Sequence, residues 1–170
     1  MRYILFLFII NSTISFSQDK DFFMIARKGT VDEAKVAFQK NTACINEANK
    51  DGFSPLILAC YSGNNEVIDF LISNNANVNY TSQEGTALMA ATVKGNLDLV
   101  ALLLKKGADP DLKNKTGITA LMSAVQFKNV DIVKLLLNSG ANKSLQDNEG
   151  RTAFEYAVFT KNDEIINLLK

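Results

Sequence analysis

The chain has 170 residues, 47% of them hydrophobic, with 18 basic and 18 acidic side chains, two prolines and no histidine. That is enough apolar material for one or two folded domains, and it excludes a disordered tail, which is poorer in apolar residues and richer in net charge. A formal charge of zero argues against a nucleic-acid partner, because phosphate neutralisation needs a basic surplus. Without histidine there is no Ser-His-Asp or Cys-His nucleophile and no His-ligated metal, and two cysteines do not make a four-thiolate zinc site. The composition therefore leans away from an enzyme, and no cofactor or metal is expected.

The N-terminus reads as a leader. Arg2 supplies a small positive charge, Ile4 to Ile10 is an unbroken apolar run, and Asn11, Ser12 and Thr13 end it well short of the about 20 residues a membrane span needs. Ser15 and Ser17 carry the small-residue spacing of a signal-peptidase site, so residues 1–17 are expected to be a signal peptide cleaved after Ser17. The mature chain, 18–170, is then exported in soluble form, periplasmic or secreted, with no membrane insertion after cleavage.

Beyond the leader the chain repeats itself. Leu56, Leu88, Leu121 and Phe154 recur at intervals of 32, 33 and 33 residues, and Ser54, Thr86, Thr119, Thr152 and Ala59, Ala91, Ala124, Ala157 keep the same step. Each such segment is followed by a second apolar run, as in Glu66–Ile72, Asp98–Leu104 and Asp131–Leu137, and then by a glycine or asparagine exit at Asn75, Gly107 and Gly140. The hydroxyl residues suit the N-cap of a first helix, with Pro55 at its first turn, and the alanines let neighbouring first helices approach. The leucine-rich runs give the second helix a broad apolar face, and Gly107 and Gly140 take the positive φ that ends it. One such helix pair cannot bury its own apolar surface, so stability has to come from stacking.

This grammar resembles the ankyrin repeat, of the exported bacterial type in view of the leader. The resemblance implies an all-α solenoid of about five stacked helix-turn-helix units with hairpin-like loops between them. The units fall at about 19–50, 51–83, 84–115, 116–148 and 149–170, the first and last as caps. Phe22–Ala26, Gly29 and Asp32–Phe38 supply the degenerate first unit. Three departures stand out. The family's histidine is replaced by Ile57, Met89, Met122 and Glu155, which points to heavier reliance on apolar packing; the turn glycine of Gly63 and Gly95 becomes Lys128 and Lys161; and one residue is missing before Gly85.

The resemblance also implies where a partner binds: on the hairpin tips and on the concave side of the first helices. Mapped onto this chain, those surfaces give Phe53, Tyr61, Val93, Lys94, Ile118, Gln126, Phe127, Arg151 and Phe159 as candidate partner-binding residues. Phe53, Tyr61, Ile118, Phe127 and Phe159 are bulky and apolar where water favours polar groups, which marks a contact surface if they line up, or local packing if they fold back. Cys44 and Cys60 have two readings. One is a disulfide pinning the first cap to the array across about 15 residues, worth roughly 3 kcal/mol. The other is two buried, small apolar residues pointing apart. Asn79 and Asn142 open glycosylation-like triplets that the repeat's own Asn-rich exit explains, and Asp109 and Asp111 lack the further acids of a calcium loop.

The expected function is a non-catalytic, exported and monomeric protein-interaction module with a protein partner of unknown identity. A toxin-neutralising protein or a secreted host-directed effector is the alternative.

Overall fold

A computed structural model describes residues 21–170; the expected leader, 1–17, lies outside them. Ten α-helices follow one another in pairs among the described residues: α1 Phe22–Lys28 with α2 Val31–Lys40, α3 Pro55–Ser62 with α4 Asn65–Ser73, α5 Ala87–Val93 with α6 Leu97–Lys105, α7 Ala120–Gln126 with α8 Val130–Asn138, and α9 Ala153–Thr160 with α10 Asp163–Leu169. A short 3₁₀ turn, Thr42–Ile45, leaves the first pair. The odd-numbered helices stack each on the next to form an inner row. In the outer row α2 packs on α4, α6 on α8 and α8 on α10, while a crevice of about 260 Å³ opens between α4 and α6, lined by Ile68 and Asp69 on one side and Leu99 and Leu102 on the other.

The caps act as the sequence implies. The Oγ of Ser54 and the Oγ1 atoms of Thr86 and Thr119 accept from the backbone N–H three residues on, each at 3.3 Å. Thr152 differs: its hydroxyl and its backbone N–H both donate to the Glu155 carboxylate. Asparagine opens the second helices, with Asn96, Asn129 and Asn162 each accepting from the N–H three residues ahead at 3.0–3.1 Å. Asn64, at the same place in the second pair, instead turns its amide to the carbonyls of Ala26 and Gly29 at 3.3 and 2.9 Å, tying α4 to the end of α1.

The core is one continuous stripe between the rows. Leu56, Leu88, Leu121, Ile68, Val100, Val133 and Leu71, Leu103, Leu136 are at most 1% exposed, so these repeated positions of the three middle pairs form the core, while their counterparts Phe154 and Ile166 in the last pair are partly buried against it. The alanines 59, 91, 124 and 157 are fully buried, which is why no larger side chain stands there.

Polar ties also join the pairs at the exits of their second helices. Asn46 Oδ1 accepts from Asn77 N, Asn79 Oδ1 from Asp109 N, and Asp111 Oδ1 from Asn142 N, each at 2.8 Å and about one repeat apart. The residues at the histidine's positions, Ile57, Met89 and Met122, are buried in the apolar core, and beside that packing the Asn/Asp exits form a ladder of side chain–backbone hydrogen bonds.

Gly29 differs from the other turn glycines. Its φ is −84°, which any residue tolerates, but a Cβ there would lie 2.7 Å from the Cα of Ile25. Lys128 and Lys161, by contrast, keep the left-handed turn of Gly63 and Gly95, at φ 55° and 54° against 68°. A residue with a Cβ is strained there by about 1–2 kcal/mol, partly offset by the larger entropy that glycine loses on folding. Lys128→Gly and Lys161→Gly are therefore each expected to stabilise the array by about 0.5 kcal/mol, read as a rise of the urea midpoint with no change in the slope.

Candidate interaction groove

The loops between pairs fold into tips that stand over the ends of the inner row. At three of them one side chain organises the turn: Asn49, Asn114 and Asp147 each accept, through Oδ1, from the backbone N–H groups two and four residues on, at 2.8–3.0 Å. The second tip is one residue shorter. Ser82 and Gly85 pair directly through their backbones at 3.0 and 3.2 Å, and the Ser82 hydroxyl donates to the Gly85 carbonyl. Tips two and three are joined by Lys115 N donating to Gln83 O at 3.0 Å, and tips three and four by Asn148 N donating to Thr116 O at 3.1 Å. Between tips one and two lies a gap of about 520 Å³, walled by Asn49–Phe53 and by Gln83 and Glu84.

Tips and inner helices together enclose a groove of about 610 Å³. Six of the nine residues proposed from the sequence line it: Tyr61, Val93, Ile118, Gln126, Phe127 and Arg151. Phe127 is 57% exposed and Gln126 is exposed, whereas Tyr61, Val93 and Ile118 are half-buried, with one face on the array and one on the groove. Phe53 stands behind the wall, edge-on to Tyr61 with ring centroids 6.4 Å apart, so it supports the groove without lining it. Lys94, the C-cap of α5, and Phe159, 73% exposed on α9, are exposed residues outside the lining. The expected apolar stripe is thus a compact wall centred on α3, α5 and α7, with Phe159 standing apart.

Arg151 is held rigidly. Its Nε and Nη2 donate to Asp147 Oδ2 at 2.9 and 2.8 Å, its Nη1 lies 2.7 Å from Glu149 Oε2, and its guanidinium sits 4.9 Å from the centre of the Tyr156 ring. The Tyr156 hydroxyl donates to the same Asp147 oxygen at 2.5 Å. Burial pushes the Asp147 carboxyl up, but the hydrogen bonds from Tyr156 and Arg151 outweigh it and hold the group well below the ordinary carboxylate range. The stability this network supplies is complete above pH 3.8, the ordinary value, and is lost as pH falls toward the depressed native one. Burial, with the Asp147 charge, pushes the Tyr156 hydroxyl up to about 12.

Sequence reasoning passed over Glu84, Asp147 and Tyr156, all of which line the groove. A signal for the last two was present. Tyr156 occupies the inner-helix position held by Leu58, Ala90 and Ser123 in the other units, and Asp147 the tip position of Asn49 and Asn114.

Cys44 and Cys60 are both buried free thiols. Burial, and for Cys44 also the charge of Glu47, raises both thiol pKa values, that of Cys60 to about 12, so neither has the thiolate character of a reactive cysteine.

Stacked helix pairs with hydrogen-bonded tips beside a continuous inner row define a solenoid repeat protein. The family model for ankyrin repeats (3 copies) matches residues 22–114 and 88–170, and the chain belongs to the ankyrin-repeat family. Among curated relatives it is similar to human BCL-6 corepressor-like protein 1, 36% identical over 95 residues, which are 55% of this chain and 5% of that protein. It is 36% identical over 101 residues to rat ankyrin repeat and SAM domain-containing protein 6, covering 58% of this chain and 11% of that one. Bovine ankyrin repeat and SOCS box protein 2 is 38% identical over 87 residues, 50% of this chain and 14% of its own. The chain thus spans a small part of these relatives, and what they share with it is the repeat. Ankyrin repeats mark a protein–protein interaction module.

Proposed function

We propose that this chain is an exported, non-catalytic and monomeric binding module that holds a protein partner in the groove between Tyr61 and Tyr156. The observation that carries the reading is the wall of Tyr61, Val93, Ile118 and Phe127, apolar side chains turned to an open groove beside a rigid polar rim. An apolar core with a polar edge is the anatomy of a contact surface. Export rests on Arg2, the Ile4–Ile10 run and the Ser15/Ser17 spacing. Cleavage after Ser17 removes no core residue, since the core of the described residues begins at Phe22. Among the described residues no helix is long and apolar enough to cross a membrane.

The test is capture from the native exported fraction by the chain carrying its own N-terminus and a C-terminal tag. Phe127→Glu is expected to lower capture of the partner at least tenfold, because a charge enters the centre of the wall, while Phe159→Glu leaves it within about twofold. Circular dichroism verifies that both variants stay folded. Equal capture by wild type and Phe127→Glu would place the binding surface elsewhere. The mass of the recovered protein reads the export directly, with Gln18 expected as its first residue. If no native protein is captured, a partner from outside the cell, a toxin or a host target, becomes the one to seek.

A further inference from the structure

Resting on that reading, we infer that the groove takes a cationic segment of its protein partner, a lysine or arginine flanked by aliphatic residues. The lining holds three carboxylates, Glu84, Asp147 and Glu149, against a single cation, Arg151. Arg151 is already committed to two of them, Asp147 and Glu149. Glu84 remains. It is exposed at the short second tip, and among the described residues its carboxylate forms no ion pair or hydrogen bond. Both Glu84 and Tyr61 line the groove, and burial first, then the Glu84 charge, raise the pKa of the Tyr61 hydroxyl.

The uncovered negative charge and the apolar wall are two halves of one complement. A lysine or arginine lays its methylene stem along apolar surface and keeps its head group at a polar edge, as such side chains do wherever the two meet. Here Val93, Ile118 and Phe127 offer surface for the stem, the rings of Tyr61 and Phe127 offer π faces, and Glu84 offers the counter-charge. An acidic segment would meet Glu84 without compensation and with Arg151 already engaged, so the same groove disfavours it. A groove of about 610 Å³ accommodates a few side chains, which points to a short exposed segment of the partner.

The experiment is selection of a random 12-residue phage-displayed peptide library on the tagged chain, with wild type, Phe127→Glu and Glu84→Lys as baits. Glu84 lies outside the core with no side-chain bond to lose, so its variants remain folded, verified by circular dichroism. Clones that need Phe127 are expected to carry a lysine or arginine at one fixed position beside an aliphatic residue. A synthetic peptide from such a clone should lose at least tenfold in affinity when that residue becomes glutamine, lose at least threefold on Glu84→Gln, and bind more weakly as salt rises. Clones that need Phe127 but carry no basic residue and ignore Glu84 overturn this inference and leave the groove reading standing. Clones indifferent to both variants bind elsewhere on the chain and likewise overturn this inference, while the groove reading is judged by capture of the native partner. A selection that yields no groove-dependent clone overturns the inference alone, because capture of the native partner is scored separately.

Discussion

Leu121→Ala is expected to destabilise the array by about 3 kcal/mol, a fall of about 6–12 °C in melting temperature for a chain of this size. Leu121 is 1% exposed and sits in α7, the inner helix that packs on both α5 and α9. Removing its side chain leaves a cavity that rigid neighbours on two sides do not close, which adds a cavity cost to the lost transfer free energy. In a stacked array each pair is stable only through its neighbours, so the loss is felt beyond α7 itself. Urea unfolding followed by circular dichroism should show an earlier midpoint and a broader transition, as α9 and α10 separate from the rest. A loss below about 1 kcal/mol would mean that the inner row closes over the gap, contrary to the fixed alanine contacts that hold it.

Gly117→Ala should cost a similar amount for another reason, and Gly52→Ala supplies its control. The two glycines occupy equivalent turns with nearly the same φ, 83° and 81°. At Gly52 a Cβ meets nothing within 4 Å, whereas at Gly117 it would lie 2.6 Å from the backbone nitrogen of Asn148. The left-handed strain, about 1 kcal/mol for an alanine, is common to both. The collision is not. It forces the fourth tip away from the third and breaks the bonds that Asn148 N and Nδ2 donate to Thr116 O and Lys115 O, each worth about 1 kcal/mol. We expect a loss of about 3 kcal/mol for Gly117→Ala against about 1 kcal/mol for Gly52→Ala, from paired urea titrations. Equal losses would show that the tips part without cost.

Much of this was legible in the sequence because the repeat displays its own physics. A hydroxyl before a helix, a small alanine in the inner row and leucines at the same step each have one structural use, so their recurrence gave the helix pairs, the caps and the core. The groove was legible in part. Tyr61, Val93, Ile118, Gln126, Phe127 and Arg151 were placed by position within the repeat, and they do converge. Phe53 was hidden from that reasoning because its environment depends on the rotamer of Tyr61, a contact that spacing does not encode. Phe159 belongs to the last unit, beyond which the described residues hold no further inner helix to complete a wall. The Asp147–Arg151–Tyr156 network escaped for a related reason: its members lie 4 and 5 residues apart across a turn, and only the folded tip brings the hydroxyl and the guanidinium to one carboxylate oxygen.

The shortened second tip has a consequence for recognition. A regular array is nearly identical to itself after a shift of one repeat, so an elongated partner lying along it would find several docking registers of similar energy. Closing at Ser82–Gly85 breaks that translational symmetry: the first tip stands off across a gap, while the second, third and fourth are bonded into one rim. The bonded rim begins at the second tip, which carries Glu84, so the array's surface differs on the two sides of that tip. A tip shortened by one residue thereby marks one position along an otherwise periodic surface.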